Sequence, residues 1–207
     1  MSNLISCLRQ NINHHAVKRF DSKKIEFIEP DKSAKLRKLI IKASKPELLD
    51  QHPKDGIFIE LDHSNPLLEN FTHFLKSGAS GINQKVDFCL ITQKDNTVYF
   101  VISDLKSSTQ GNNDRCAGQY KNTKLFINYI TEIFESFELT QAGLIKKFFK
   151  LLFIPNEGIA TSLPISPCTE DSIDILKNEP ECNFHLVNLE DGVGEISLNE
   201  LLSRLPS

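Results

Sequence analysis

The chain has 207 residues, 40% of them apolar, with a formal net charge of −3 at pH 7. That is enough apolar material for a packed core in one domain, which excludes a globally disordered chain. The slight acidity excludes indiscriminate wrapping of nucleic acid and leaves room for local basic patches, such as "KSAKLRK" from Lys32 to Lys38 and "KKFFK" from Lys146 to Lys150.

Cys7, Cys89, Cys116, Cys168 and Cys182 are scattered and form no CxxC pair, so a structural zinc site is not expected and free thiols in a reducing compartment are. The histidines also lack ligand spacing: His14 and His15 are adjacent, while His52, His63, His73 and His185 stand alone. No apolar stretch approaches the roughly 20 residues of a membrane span. No positively charged leader precedes the short apolar run of "MSNLISCLRQ". The reading is a cytoplasmic protein without membrane contact.

In chain order, "VKRFDSKKIEFIEPD" reads as a short hairpin. "DKSAKLRKLIIKASKPELLDQH" reads as a helix up to Lys45, ahead of Pro46. "DGIFIELDHS" opens on a turn signal and alternates like a strand. "NPLLENFTHFLKSG" is a compact helix, with Asn65 as cap, Pro66 at its first position and Gly78 at its exit. Two strands, "KVDFCLITQ" and "TVYFVISDLKS", then flank a short polar turn. The long helix "NNDRCAGQYKNTKLFINYITEIFESF" follows, capped by Asn113 or Asp114. Cys116, Tyr120, Thr123, Ile127, Ile130 and Phe134 form its apolar face. "LIKKFFKLLFIPN" is a strand stopped by Pro155, "EGIATSLPISPCTEDS" a loop, "FHLVNL" a strand and "SLNELLSRL" a short helix. The sum is a mixed α/β sheet flanked by helices, read as a single domain over residues 1–207, its core at about 56–156.

The chemistry concentrates where the two central strands end. Side chains alternate along a strand, so Val98, Phe100, Ile102, Asp104 and Lys106 share one face. If Asp95 and Asn96 form a two-residue turn, Lys94 pairs with Thr97, and counting outward sets Asp87 directly opposite Asp104. Like charges so placed repel and raise each other's pKa. A divalent cation removes the conflict. Mg²⁺ (or Mn²⁺) takes carboxylate and carbonyl oxygens, here from Asp87, Asp104 and the Leu105 backbone. Lys106 would stand beside the attacking water, orienting it and balancing charge. Such a site suits hydrolysis of a phosphodiester.

Asp87 followed by "DLK" at the end of the next strand resembles the PD-(D/E)xK nuclease superfamily, which includes restriction endonucleases, RecB-like exonucleases and Holliday-junction resolvases. The resemblance covers roughly Pro66 to Pro155. It implies a restriction-endonuclease-like fold and a metal-dependent nuclease acting on DNA, in a restriction or other defence setting. It also implies a glutamate from the preceding helix, matched by Glu69 and less well by Glu60, and a glutamine on the following helix, matched by Gln119. Thr123 stands where the exonuclease branch carries tyrosine, which favours an endonuclease. Cutting both strands needs two sites, so a homodimer or a partner subunit is an expectation. Arg115 and Lys121, near the start of the long helix, are candidates for a phosphate contact. The alternative is a nuclease-like fold used for binding, as a non-catalytic subunit that holds DNA or a partner protein.

Overall fold

The computed structural model describes residues 3–62, 84–106, 113–156, 182–203 and 205. The chain opens with helix α1 (Leu4–Asn11). The Asn3 side chain caps it by accepting from the Ser6 N–H at 2.9 Å, and Leu4, Ile5, Cys7 and Leu8 form its buried face. Six strands follow: β1 (Val17–Lys18), β2 (Lys24–Ile28), β3 (Lys38–Lys42), β4 (Leu48–Leu49), β5 (His52–Pro53) and β6 (Gly56–Glu60). The central run is β7 (Phe88–Lys94), β8 (Thr97–Leu105), α2 (Asn113–Ser136) and β9 (Ile145–Pro155). The chain then forms β10 (Cys182–Val187), β11 (Leu189–Glu190), β12 (Val193–Ser197) and α3 (Leu198–Ser203). The architecture is mixed α/β.

The first fifty residues differ from the sequence reading. The stretch expected to be helical up to Lys45 contains strand β3, and only a 3-10 turn, Lys45–Glu47, follows it. Leucine, lysine and arginine favour helix, but "KLIIK" alternates: Leu39 and Ile41 are fully buried. β3 is paired on both sides, with β2 antiparallel and β12 parallel, and that pairing overrides local propensity. The expected hairpin shrinks to a bridge, Asp21↔Lys24, around Ser22 and Lys23 at φ 48° and 68°. β1 and β2 enter different sheets, so the true hairpin is β2 with β3. The helix expected over residues 65–78 and the loop after Pro155 lie outside the described residues, apart from Asn156.

Six strands form one sheet in the order β1-β6-β7-β8-β9-β10. β6, β7 and β8 run as an antiparallel meander. The chain then crosses through α2 and returns in β9, parallel to β8, as a helical crossover requires. One face of this sheet carries α1 and α2, whose Leu8, Tyr120, Ile127 and Phe134 pack with Cys89, Ile91, Phe100 and Ile102. A second sheet, β11-β12-β3-β2, covers the other face together with α3. The molecule is therefore three layers deep: helices, six-stranded sheet, four-stranded sheet.

Aromatic rings join the two sheets. Phe27 of β2 stacks on Phe88 of β7 with centroids 3.9 Å apart and planes 12° from parallel. Phe58 and Phe153 approach Phe88 at 6.1 and 5.9 Å. Phe88 is fully buried, and it fixes the start of β7 at the residue after Asp87. Replacing it leaves a ring-sized void that three neighbours cannot collapse into. Phe88→Ala should therefore lower stability by about 3–5 kcal/mol. Urea unfolding checks this: the midpoint should fall with the slope unchanged, and a loss below about 1 kcal/mol would refute the assigned role of the ring.

Candidate active site

The site begins with a turn. Lys94 pairs with Thr97 across Asp95 and Asn96, and Asp95 takes the left-handed backbone conformation, φ 53°, that a two-residue hairpin loop needs. The ladder runs back from there to Phe88↔Ser103, and one residue further sets Asp87 opposite Asp104. The Lys106 N–H donates to the Phe153 carbonyl on β9 at 2.9 Å, whereas the Leu105 N–H points toward β7. Asp87 and Asp104 thus form a non-hydrogen-bonded pair, the type whose side chains lie closest. Cys89, Ile91, Phe100 and Ile102 face the helices, so by alternation both aspartates do too.

At this point the sheet hands its hydrogen bonding over to side chains. The Leu105 N–H donates to Asp87 Oδ2 instead of a β7 carbonyl. The Asp87 carbonyl accepts from the Leu61 and Asp62 N–H groups at 2.8 and 3.3 Å, which anchors the residue to β6. A strand residue's N–H and C=O leave on the same edge, so the Leu105 carbonyl also faces the Asp87 side. Asp104 is buried and ion-paired with Lys106, Oδ2 to Nζ 2.5 Å, while the lysine side chain keeps 24% of its surface exposed.

Helix α2 supplies the support. Gln119 is buried, and its Oε1 accepts from Lys106 Nζ at 3.4 Å while its Nε2 donates to the Lys85 carbonyl at 2.6 Å. One turn later, Asn122 donates to the Gln84 carbonyl at 3.3 Å. Gln119 therefore ties the lysine to the segment that leads into Asp87.

The electrostatics are those of a strained pair. Burial first, and the charge of Asp104 second, push the Asp87 carboxyl well above the usual carboxylate range. The Leu105 N–H offsets this in part, and Glu29 adds a further negative charge nearby. Sequence reasoning missed Glu29. It follows β2 at the end of the second sheet, and no local pattern ties it to Asp87.

The structure thus brings together Asp87, Asp104, Leu105, Lys106 and Gln119. It does not bring in Glu60, which shares the second-sheet face of β6 with Phe58 and pairs with Lys18 at 2.9 Å. Glu69, the loop before α2 and the side chain of Arg115 lie outside the described residues. Lys121 is exposed on the outward side of α2, away from Gln119. Among the described residues no group of three or more acidic, histidine or cysteine side chains converges. The convergent donors are two carboxylates and one backbone carbonyl. This all-oxygen set suits a hard cation such as Mg²⁺ or Mn²⁺, and a divalent charge would relieve the repulsion that raises Asp87.

No protein-family model, curated protein or solved structure matches the chain. Among the described residues no helix is long and apolar enough to cross a membrane.

The repulsion gives a pH test. With Asp87 titrating above its ordinary 3.8, the metal-free fold holds a proton that the unfolded chain has already lost. Folding stability contributed here therefore falls as pH rises from 3.8 through the raised pKa. Asp87→Asn keeps an acceptor for the Leu105 N–H and removes the charge. In EDTA the variant should melt above wild type by several degrees at neutral pH, on the scale of about 2–4 °C per kcal/mol. Melting curves across pH should show that gap closing below 3.8; a gap that ignores pH would refute the buried pair.

Proposed function

We propose that this chain is a metal-dependent nuclease of the restriction-endonuclease-like type that hydrolyses phosphodiester bonds of DNA. One observation carries the reading: at the end of an antiparallel meander, just before a helical crossover to a parallel strand, two opposed aspartates, a lysine and a helix glutamine converge within hydrogen-bonding reach. A lone acidic pair at a strand end is common. A buried one, tied to a lysine that is itself held by a buried amide, is hard to explain by stability alone, because each acid destabilises the other.

Asp87, Asp104 and the Leu105 carbonyl would hold the cation, which when bound neutralises phosphate charge and acidifies water. The remaining work falls to the chain. Lys106, on the solvent side of Asp104, orients the attacking water and balances the charge that builds on the phosphate. Gln119 fixes where that ammonium points. Hydrolysis forms one P–O bond from the water oxygen and breaks one to a bridging oxygen. The water loses a proton and the leaving oxygen gains one. A setting in restriction or another defence system accords with cleavage of foreign DNA.

The test is incubation of supercoiled plasmid and of single-stranded DNA with Mg²⁺ or Mn²⁺. Asp104→Ala and Lys106→Ala should each cut at least about 100-fold more slowly than wild type, and EDTA should stop cleavage. Cleavage that survives both substitutions would reject this site. Binding to DNA without cleavage under any metal would instead identify a non-catalytic DNA-binding subunit.

A further inference from the structure

The two helices do not fill the space above β6 and β7. Between α1, α2 and these strands lies a cavity of about 150 Å³, whose walls include none of the groups that meet at Asp87 and Asp104. Ile59 of β6 and Cys89 of β7 pair directly across its floor, with Ile91 beside them. Leu8 and Ile12 of α1 form one wall, and Phe126 and Ile130 of α2 the other. Two small side chains, Ala16 and Cys89, leave the space in a layer otherwise built mostly from isoleucine, leucine and phenylalanine, and both are buried. Ile12, Phe126 and Ile130 are only half-buried, so the cavity opens to solvent on their side.

The polar groups along the walls are already engaged. The Asn13 side-chain oxygen accepts from the His15 N–H at 3.0 Å, and the Thr131 hydroxyl donates to the Asn128 carbonyl at 2.9 Å. The Ala16 N–H donates to the Asn13 carbonyl at 2.9 Å, and its carbonyl accepts from the Glu60 N–H at 2.8 Å. Among the described residues that line the cavity only Glu60 is charged, and its carboxylate pairs with Lys18 at 2.9 Å. Water there would lack the two to four polar partners it needs. An empty void is costly too, because interiors pack to crystal density and the lining of a void forfeits its contacts.

We propose that this cavity is a binding site for a small neutral apolar molecule, a single aromatic ring or a hydrocarbon chain of similar bulk. The size fits: an apolar cavity of about 150 Å³ takes one benzene ring. The lining selects against ions, since no described cation faces the cavity and Glu60 would repel an acid. Recognition comes from burial and shape, with no hydrogen bond left to offer. Six heavy atoms buried in this way give benzene a dissociation constant on the order of 0.1–1 mM. The inference does not rest on the nuclease reading, and its test contains no DNA.

The probe is benzene, titrated into the full chain with isotope-labelled isoleucine methyls, and benzoate is its charged counterpart. Ring currents should shift the Ile59, Ile91 and Ile130 methyls and saturate in that concentration range. Ile25, Ile41 and Ile196, in the core on the other side of the sheet, should stay in place. About 5 mM benzene should raise the melting temperature by about 2–8 °C. Benzoate should do neither. Cys89→Ile fills the cavity from its floor and Ala16→Leu from its side, and each should weaken benzene binding at least about tenfold. Either variant, shown to be folded by circular dichroism, gives the comparison. Methyl shifts that are absent, or equal in the two cores, overturn the inference. So does benzene binding that survives the filled cavity, or benzoate binding as tight as benzene's.

Discussion

The alternation of side chains across one β-hairpin governs this molecule. With period two, a slip of a single residue in the β7–β8 register would send Asp87 to the face of the second sheet and leave Asp104 alone among the helices. What prevents the slip acts at both ends of the ladder. At one end, Asp95 accepts a left-handed backbone and lets Lys94 meet Thr97. At the other, Phe88 is held in a stack with Phe27 and against Phe153, so β7 cannot shift without pulling a ring out of a filled core. The turn sets the register, and aromatic packing on the far side of the sheet locks it.

That division of labour explains how a costly site persists. The opposed carboxyls favour opening of the hairpin's end, where the regular ladder stops. The energy that opposes opening comes from the buried surface of Phe88, Leu90, Val101 and Leu105, which the second sheet shields from water. Its strands come from both ends of the chain: β2 and β3 from the first fifty residues, β11 and β12 from the last twenty. Without this layer, one whole face of the central sheet would be bare. The terminal segments are thus part of what keeps Asp87 and Asp104 together, and they also bring the charge of Glu29 near the pair.

Legibility in the sequence followed the range of the interactions. The β7–β8 hairpin, α2 with its buried face and β9 up to Pro155 could all be read, because turn residues, periodicity and a proline are local signals. The pairing of Asp87 with Asp104 followed from the turn by counting. β3 could not be read. "KLRKLIIK" carries helix-forming residues, and its pairing with β2 on one side and with β12, more than 150 positions later, on the other settles it as a strand. Helix α1 was also missed, since eight residues with one cap give a weak pattern. Glu29 reaches the neighbourhood of Asp87 through sheet-on-sheet packing, which leaves no mark on its own neighbours in the chain.

Gln119 shows how the two kinds of information meet. Its place on α2 is a sequence fact, but its work depends on where α2 lies across the sheet. The β7–β8 ladder ends at Phe88↔Ser103, so backbone hydrogen bonds between the two strands no longer hold Lys106 or Lys85 in place. One amide replaces them, its oxygen on the lysine that pairs with Asp104 and its nitrogen on the carbonyl two residues before Asp87. Both strand ends are therefore referred to a single rigid body, a helix held by the buried Tyr120, Thr123 and Ile127 over the next two turns or so. A change that tilts α2 would move both ends of the site together and preserve their mutual geometry. A change to Gln119 alone would let them drift apart while both aspartates and the lysine remain present.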